Sequence, residues 1–80
     1  MMLFIYINTN IERVKKDIKL GLMPCSILHH WEIYARYDAL KKMGNNTTMS
    51  VFQVSELYEI SEPSIYRIIR KMESDVCVNN

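Results

Sequence analysis

The stretch Val51 to Glu73, VFQVSELYEISEPSIYRIIRKME, carries two helix-starting signals close together, and their spacing decides how the chain is read. Ser50 stands three residues before Gln53, so its hydroxyl can accept from the third helical amide while the glutamine side chain returns the bond. Met49 and Val54 sit around that cap at the two places of a hydrophobic staple, which predicts a helix from Val51. Ser61 is the next good cap, with Ile60 and Ile65 at its own staple positions. Glu62 then places negative charge at the positive end of a helix dipole, and Pro63 falls in a first turn whose amides lack intrahelical acceptors. A helix over Glu62 to about Ser74 follows, and the preceding one must stop near Tyr58. A link of about three residues suits two helices crossing steeply better than an antiparallel hairpin.

Counted from Val51 with helix-turn-helix spacing, the inward places are Val54, Tyr58, Ile60, Ile65 and Ile68, all apolar or aromatic, and the small Ser55 stands where the two helices approach. On the second helix, Ile65, Ile68, Ile69 and Met72 form the inner face, leaving Ser64, Tyr66, Arg67, Arg70 and Lys71 outward. Between Ser64 and Met72 there are three cations and no anion, whereas Val51 to Ile60 holds Glu56 and Glu59 and no cation. Basic charge is therefore concentrated on one helix.

Working back toward the amino end, Gly44 can close a helix in the left-handed conformation that side chains resist, and Asn45 to Thr48 read as a polar connection. Ser26 can cap the helix that Gly44 ends, in which Ile27, Leu28, Trp31, Tyr34 and Ala35 recur at three- and four-residue intervals up to about Met43. Pro24 and Gly21 separate it from a helix over Asn10 to Leu20, whose Ile11, Val14 and Ile18 share a face while Arg13, Lys15, Lys16 and Lys19 lie mostly elsewhere. Thr9 and Glu12 form a capping box for that helix. Met1 to Ile7 is apolar and rich in β-branched and aromatic residues, which fits a short strand or an arm. The expected architecture is all-α: one four-helix domain over residues 1–80, with an apolar arm at 1–8, two supporting helices in 10–44 and the helix pair in 51–74.

Length and composition exclude several classes. Eighty residues suit one small domain, and two glycines with two prolines are too few for many short strands. A chain of this size buries only about 60 to 65% of its unfolded surface, so a homodimer is expected. Lys plus Arg exceeds Asp plus Glu by one, 10 against 9, so the case for a nucleic-acid partner rests on where the cations sit. Cys25 and Cys77 show no metal-ligand spacing and no disulfide framework, which points to reduced thiols in a cytoplasmic protein. The longest apolar run, Met1 to Ile7, is short of the roughly 20 residues that span a bilayer, and no basic segment precedes it as in a signal peptide. No paired carboxylates, glycine-rich phosphate loop or Ser/His/Asp set emerges, so no enzyme activity, metal or cofactor is expected.

The segment Val51 to Glu73 resembles the DNA-binding helix-turn-helix of tri-helical regulators, recombinases and transposases. Its ending, ISEPSIYRIIRKM, looks like recognition helices of that superfamily, including those of the phage middle-operon activator type. The resemblance implies sequence-specific binding of double-stranded DNA, with the helix over 62–74 in a major groove about 12 Å wide. It implies that Ser61, Glu62, Pro63, Tyr66, Arg67 and Arg70 face DNA. Arg67 is the expected base reader, because a guanidinium can bond both N7 and O6 of guanine. Ser64, Tyr66, Arg70 and Lys71 are the expected phosphate contacts, and Glu62 either accepts from a cytosine amino group or only caps its helix. A transcriptional regulator is the implied role. The turn position that glycine usually takes in such motifs holds Glu59, at a cost of roughly 1 kcal/mol in the left-handed region. Seven residues follow Glu73, so no C-terminal β-wing is expected. The competing reading is a helical protein-interaction adaptor whose cations meet an acidic surface, or an oligomerisation module assembled through the apolar arm, without DNA binding.

Other residues read as structural. His29 and His30 point about 100° apart on a helix and cannot share a metal ion as an i, i+4 pair can, so solvent or a hydrogen bond is expected for them. Trp31, Tyr34 and Tyr37 form an aromatic stripe suited to core or dimer packing, and Cys25 reads as a buried, inert thiol. The cations of the first helix read as a solvated face.

Overall fold

The computed structural model describes residues 1–75, and they form five α-helices: α1 (Leu3–Thr9), α2 (Ile11–Lys19), α3 (Ser26–Lys42), α4 (Thr47–Tyr58) and α5 (Glu62–Glu73). The all-α class holds among the described residues. The frayed tail expected at the carboxyl end, with Cys77 in it, lies outside them.

The first difference from expectation is at the amino end, where the apolar run is a helix rather than a strand or an arm. Ile7 is fully buried, Leu3 and Phe4 are half-buried, and Ile5 is 45% exposed, a one-sided pattern with the spacing of a helix. The Phe4 ring stacks on Tyr34 of α3, with centroids 4.6 Å apart. Extended backbone survives only at Met2, which forms an antiparallel bridge with Asp75, while the Leu3 amide donates to the Ser74 carbonyl at 2.8 Å. A seven-residue apolar run does not announce its own period, so the choice falls to the neighbours it packs against.

Asn10 bends the chain from α1 into α2, and its side-chain amide donates to the Tyr6 carbonyl. The expected Thr9/Glu12 capping box does not form. Thr9 is the last residue of α1, and its hydroxyl donates back to the Ile5 carbonyl at 2.9 Å, the competing bond open to a threonine with a helical turn behind it. Gly21 and Gly44 take positive φ, 77° and 100°, as expected. Each closes its helix with the paired bonds of a Schellman motif: Leu22 to Asp17 and Gly21 to Ile18 after α2, Asn45 to Leu40 and Gly44 to Lys41 after α3. Ser26 is the first residue of α3 rather than its cap. Cys25 precedes it and is exposed, not buried, because Pro24 and Cys25 ride over the surface at the start of the helix.

The second difference is the start of α4. Asn46 is the cap, its Oδ1 accepting from the Met49 amide at 2.8 Å, so the helix begins at Thr47 and not at Val51. Asparagine is as strong a cap as serine, and here it comes first in the chain. Ser50 is consequently inside the helix, fully buried, with its hydroxyl unpartnered. Met49, expected as half of a staple, is 48% exposed. At the far end Glu59 adopts φ 55°, ψ 43°, the left-handed place the sequence reading assigns it. Ser55 binds this turn, accepting at its carbonyl from the Ile60 amide at 3.1 Å and donating its hydroxyl to the Ile60 carbonyl. Ser61 then stands in extended conformation ahead of α5, and its hydroxyl donates to Ser64 Oγ rather than taking up a backbone amide.

The helices share one buried cluster. Ile7, Val14, Ile33, Val54 and Ile65, one from each helix, are at most 1% exposed. Helices α3, α4 and α5 each pack against the other two, α1 touches α2, α3 and α5, and the expected inner face of α5 is buried at all four positions. Tyr34 joins three helices: its ring takes Phe4 of α1, and its hydroxyl donates to Glu73 Oε2 of α5 at 3.0 Å.

Candidate nucleic-acid interface

Because Ile65, Ile68, Ile69 and Met72 bind α5 to the core, the opposite arc of the helix must face outward. At about 100° per residue, Pro63, Arg67 and Arg70 lie at the centre of that arc. Ser64 and Lys71 fall on one flank, and Tyr66 and Glu62 on the other. Ser61, Glu62, Pro63, Tyr66, Arg67, Arg70 and Lys71 are all exposed, and Ser64 is half-buried.

The cations differ in their surroundings. On α3, Lys42 pairs with Asp38 at 2.9 Å and Lys41 donates to Thr47 at 2.9 Å. Among the described residues, Arg67, Arg70 and Lys71 make no ion pair and no side-chain hydrogen bond, so their donors face water. The long side chains of α5 are therefore held only by their stems, with the charged heads available.

Each flank of α5 meets a different neighbour. Beside its first turn, Glu62 shares a depression with Asn46, Thr48, Met49 and Phe52 from the start of α4. Phe52 is 50% exposed, and this side combines two apolar side chains with the neutral polar Asn46 and Thr48 and one acid. On the other flank, Ser64 and Arg67 share a groove with His29 and His30 of α3, floored by Ile60 and Ile68. His29 sets its ring edge-on to Tyr58, with centroids 6.0 Å apart. Burial holds the His30 imidazole below the usual histidine range, and Lys71 and His29 add to the effect by repelling a further positive charge. The two histidines thus diverge, and among the described residues no three His, Cys, Asp or Glu side chains converge as a metal site requires.

The aromatic stripe divides. Tyr34 and Tyr37 are buried, with rings 5.5 Å apart, while Trp31 is half-buried and donates its Nε1 hydrogen to Asn8 Oδ1 at 3.0 Å. Burial, followed by the bond to Glu73, pushes the Tyr34 phenol well above its ordinary range. Arg13, Lys15, Lys16 and Lys19 are exposed on α2.

Sequence reasoning places the outward residues of α5 but misses the two walls beside them. Nothing in the spacing of His29 and His30 signals that they adjoin Ser64 and Arg67, since that proximity depends on how α3 and α5 cross. No helix among the described residues is long and apolar enough to cross a membrane. Compared with known protein families, with curated proteins and with solved structures, the chain matches none.

Proposed function

We propose that the chain binds double-stranded DNA sequence-specifically as a small transcriptional regulator, with α3, α4 and α5 acting as a tri-helical helix-turn-helix and α5 entering the major groove. The observation that carries this reading is the outward arc of α5, where three cations without a partner among the described residues stand on a helix locked to the core through its opposite face. Two supports come from its neighbours. The link from Glu59 to Ser61 is short, and its backbone is tied to Ser55, so α4 braces α5. Every residue assigned to the DNA-facing set is at least partly solvent-accessible.

In this reading Arg67 reads a guanine through N7 and O6, Ser64, Tyr66, Arg70 and Lys71 hold phosphates, and Ser61, Glu62 and Pro63 lead into the groove. A homodimer would set two copies of α5 about 34 Å apart, on half-sites one turn apart. The binding needs no cofactor.

Selection from randomised duplexes tests the proposal, and one preferred sequence is the expected outcome. Arg67→Ala should then lose about 1 to 3 kcal/mol of preference for that sequence, while Lys71→Ala should weaken all duplexes alike and lower the salt slope by about one. Sedimentation of the protein with the selected duplex reads the stoichiometry. A second reading has its own observation in the apolar patch of Met49 and Phe52 on α4. A protein-interaction adaptor would use that patch, and failure to enrich any duplex would favour it.

A further inference from the structure

The groove between α3 and α5 has an unusual composition. Its polar walls are the imidazoles of His29 and His30, the Ser64 hydroxyl and the Arg67 side chain, over a floor of Ile60 and Ile68, in a space of about 350 Å³. No carboxylate lines it. The Lys71 ammonium stands close enough to bear on His30. Groups that carry or can acquire positive charge converge here without a counter-charge, an arrangement that an anion relieves.

Resting on the reading of α5 as the DNA-facing helix, we propose that this groove takes one phosphate of the duplex backbone, held by His29, His30 and Ser64. A strand phosphate is the anion that fits the position. The groove opens along the flank of the helix assigned to the major groove, where the sugar–phosphate wall would run. Arg67 belongs to both places. A phosphate seated beside its stem fixes the guanidinium toward the base edges, so the α3 histidines position the base reader as well as anchor the strand.

The consequence is a proton taken up on binding. In the free protein, burial, Lys71 from α5 and His29 from α3 all disfavour the protonated form of His30, with Arg67 lining the same groove. A phosphate in the groove reverses the local field and raises the proton affinity of the ring. By linkage, affinity for DNA must then rise as pH falls through the titration range of the bound state. The phosphate is present in every duplex, so the effect is independent of sequence.

The chain has two histidines, and both line this groove; His29 also borders a depression with Lys15 and Glu32, so the His30 resonances are the ones that isolate the groove. The test is fluorescence anisotropy between about pH 8 and pH 6 on the selected duplex and on a random-sequence duplex, with imidazole shifts followed by NMR. Wild type should gain about fivefold in affinity on both duplexes over that range, and His30→Gln should flatten the gain to within about twofold. Arg67→Ala should narrow the ratio between selected and random duplexes while keeping the pH gain. If His30→Gln fails to fold, the wild-type His30 imidazole shifts, followed with and without duplex, carry the same test. A preferred duplex bound with a flat wild-type profile overturns the groove proposal alone and leaves the α5 reading standing. Binding to no duplex at any pH overturns both. Imidazole shifts that move with inorganic phosphate at matched ionic strength, but not with duplex, assign the groove to a free anion and also overturn the proposal.

Discussion

Helices α1 and α5 each bury one isoleucine completely, Ile7 and Ile65, yet they reach the helical state by different routes. Along its twelve residues α5 has an acid and a proline in the first turn, two cations in the last and four buried apolar residues on one face. Although Ser61 makes no side-chain capping bond to the backbone, local chemistry and tertiary packing agree along the helix itself. Over seven residues α1 has no capping side chain, no acid in its first turn and no base in its last. A helix that short is marginal alone in water, so α1 depends on Phe4 against Tyr34, on Ile7 in the core and on the Leu3 amide bound to Ser74. The same backbone state can thus be written locally or imposed from outside, and only the first kind is readable in advance.

The largest expected effect tests whether α1 belongs to the cooperative unit. Ile7→Ala and Ile65→Ala should each cost about 2 to 5 kcal/mol in urea denaturation followed by circular dichroism, while Ile5→Ala stays within about 0.5. An Ile7→Ala cost no greater than that of Ile5→Ala would show a detachable arm and dissolve the contrast. Next in size is Tyr34→Phe, which removes the bond to Glu73 between α3 and α5 and should cost about 1 to 2 kcal/mol at neutral pH. Its pH dependence has a definite sign. The folded state holds the Tyr34 phenol above its unfolded value near 10, so the stability it contributes is present below about pH 10 and is lost as pH rises further. The variant should lack that alkaline loss, as thermal melts at about pH 9 and pH 11 would read.

Two smaller effects concern the helix ends that frame α5. Asn46→Ala should cost about 1 kcal/mol by removing the cap of α4, whereas Ser50→Ala should be neutral or stabilising by up to about 1, because the buried hydroxyl has no partner. The reverse order would restore Ser50 as the cap. Smallest is Glu59→Gly, which relieves a left-handed side chain and should stabilise by about 0.5 kcal/mol once the entropy of glycine is offset. A destabilising result would mean that the turn draws more from the Glu59 side chain than its exposed position suggests.

These residues also show why legibility varies along the chain. Gly21, Gly44 and the buried face of α5 were readable because each depends on a residue's own backbone freedom or on periodicity within one helix. The start of α4 was misread because Asn46 and Ser50 are both competent caps a turn apart, and sequence does not rank them once the burial of Ser50 is unknown. Thr9 failed as a cap for a related reason: α1 places a helical carbonyl within its reach. In the candidate site, the outward residues of α5 follow from the inward ones, but the histidine wall and the Met49–Phe52 patch do not. The histidine wall is made by α3 lying beside α5, and the α4 patch meets Glu62 only because α4 lies beside the start of α5.

The amino-acid order by itself settled the helical class, the carboxyl ends of α2 and α3, and which side of α5 carries its cations, because these rest on interactions within about one turn of chain. Tertiary structure alone decided that Leu3 to Ile7 form a helix rather than extend, and that two imidazoles of α3 stand against Ser64 and Arg67. The physical reason is range: a short apolar segment and a distant histidine have no local preference strong enough to compete with the burial and charge that their neighbours in space supply.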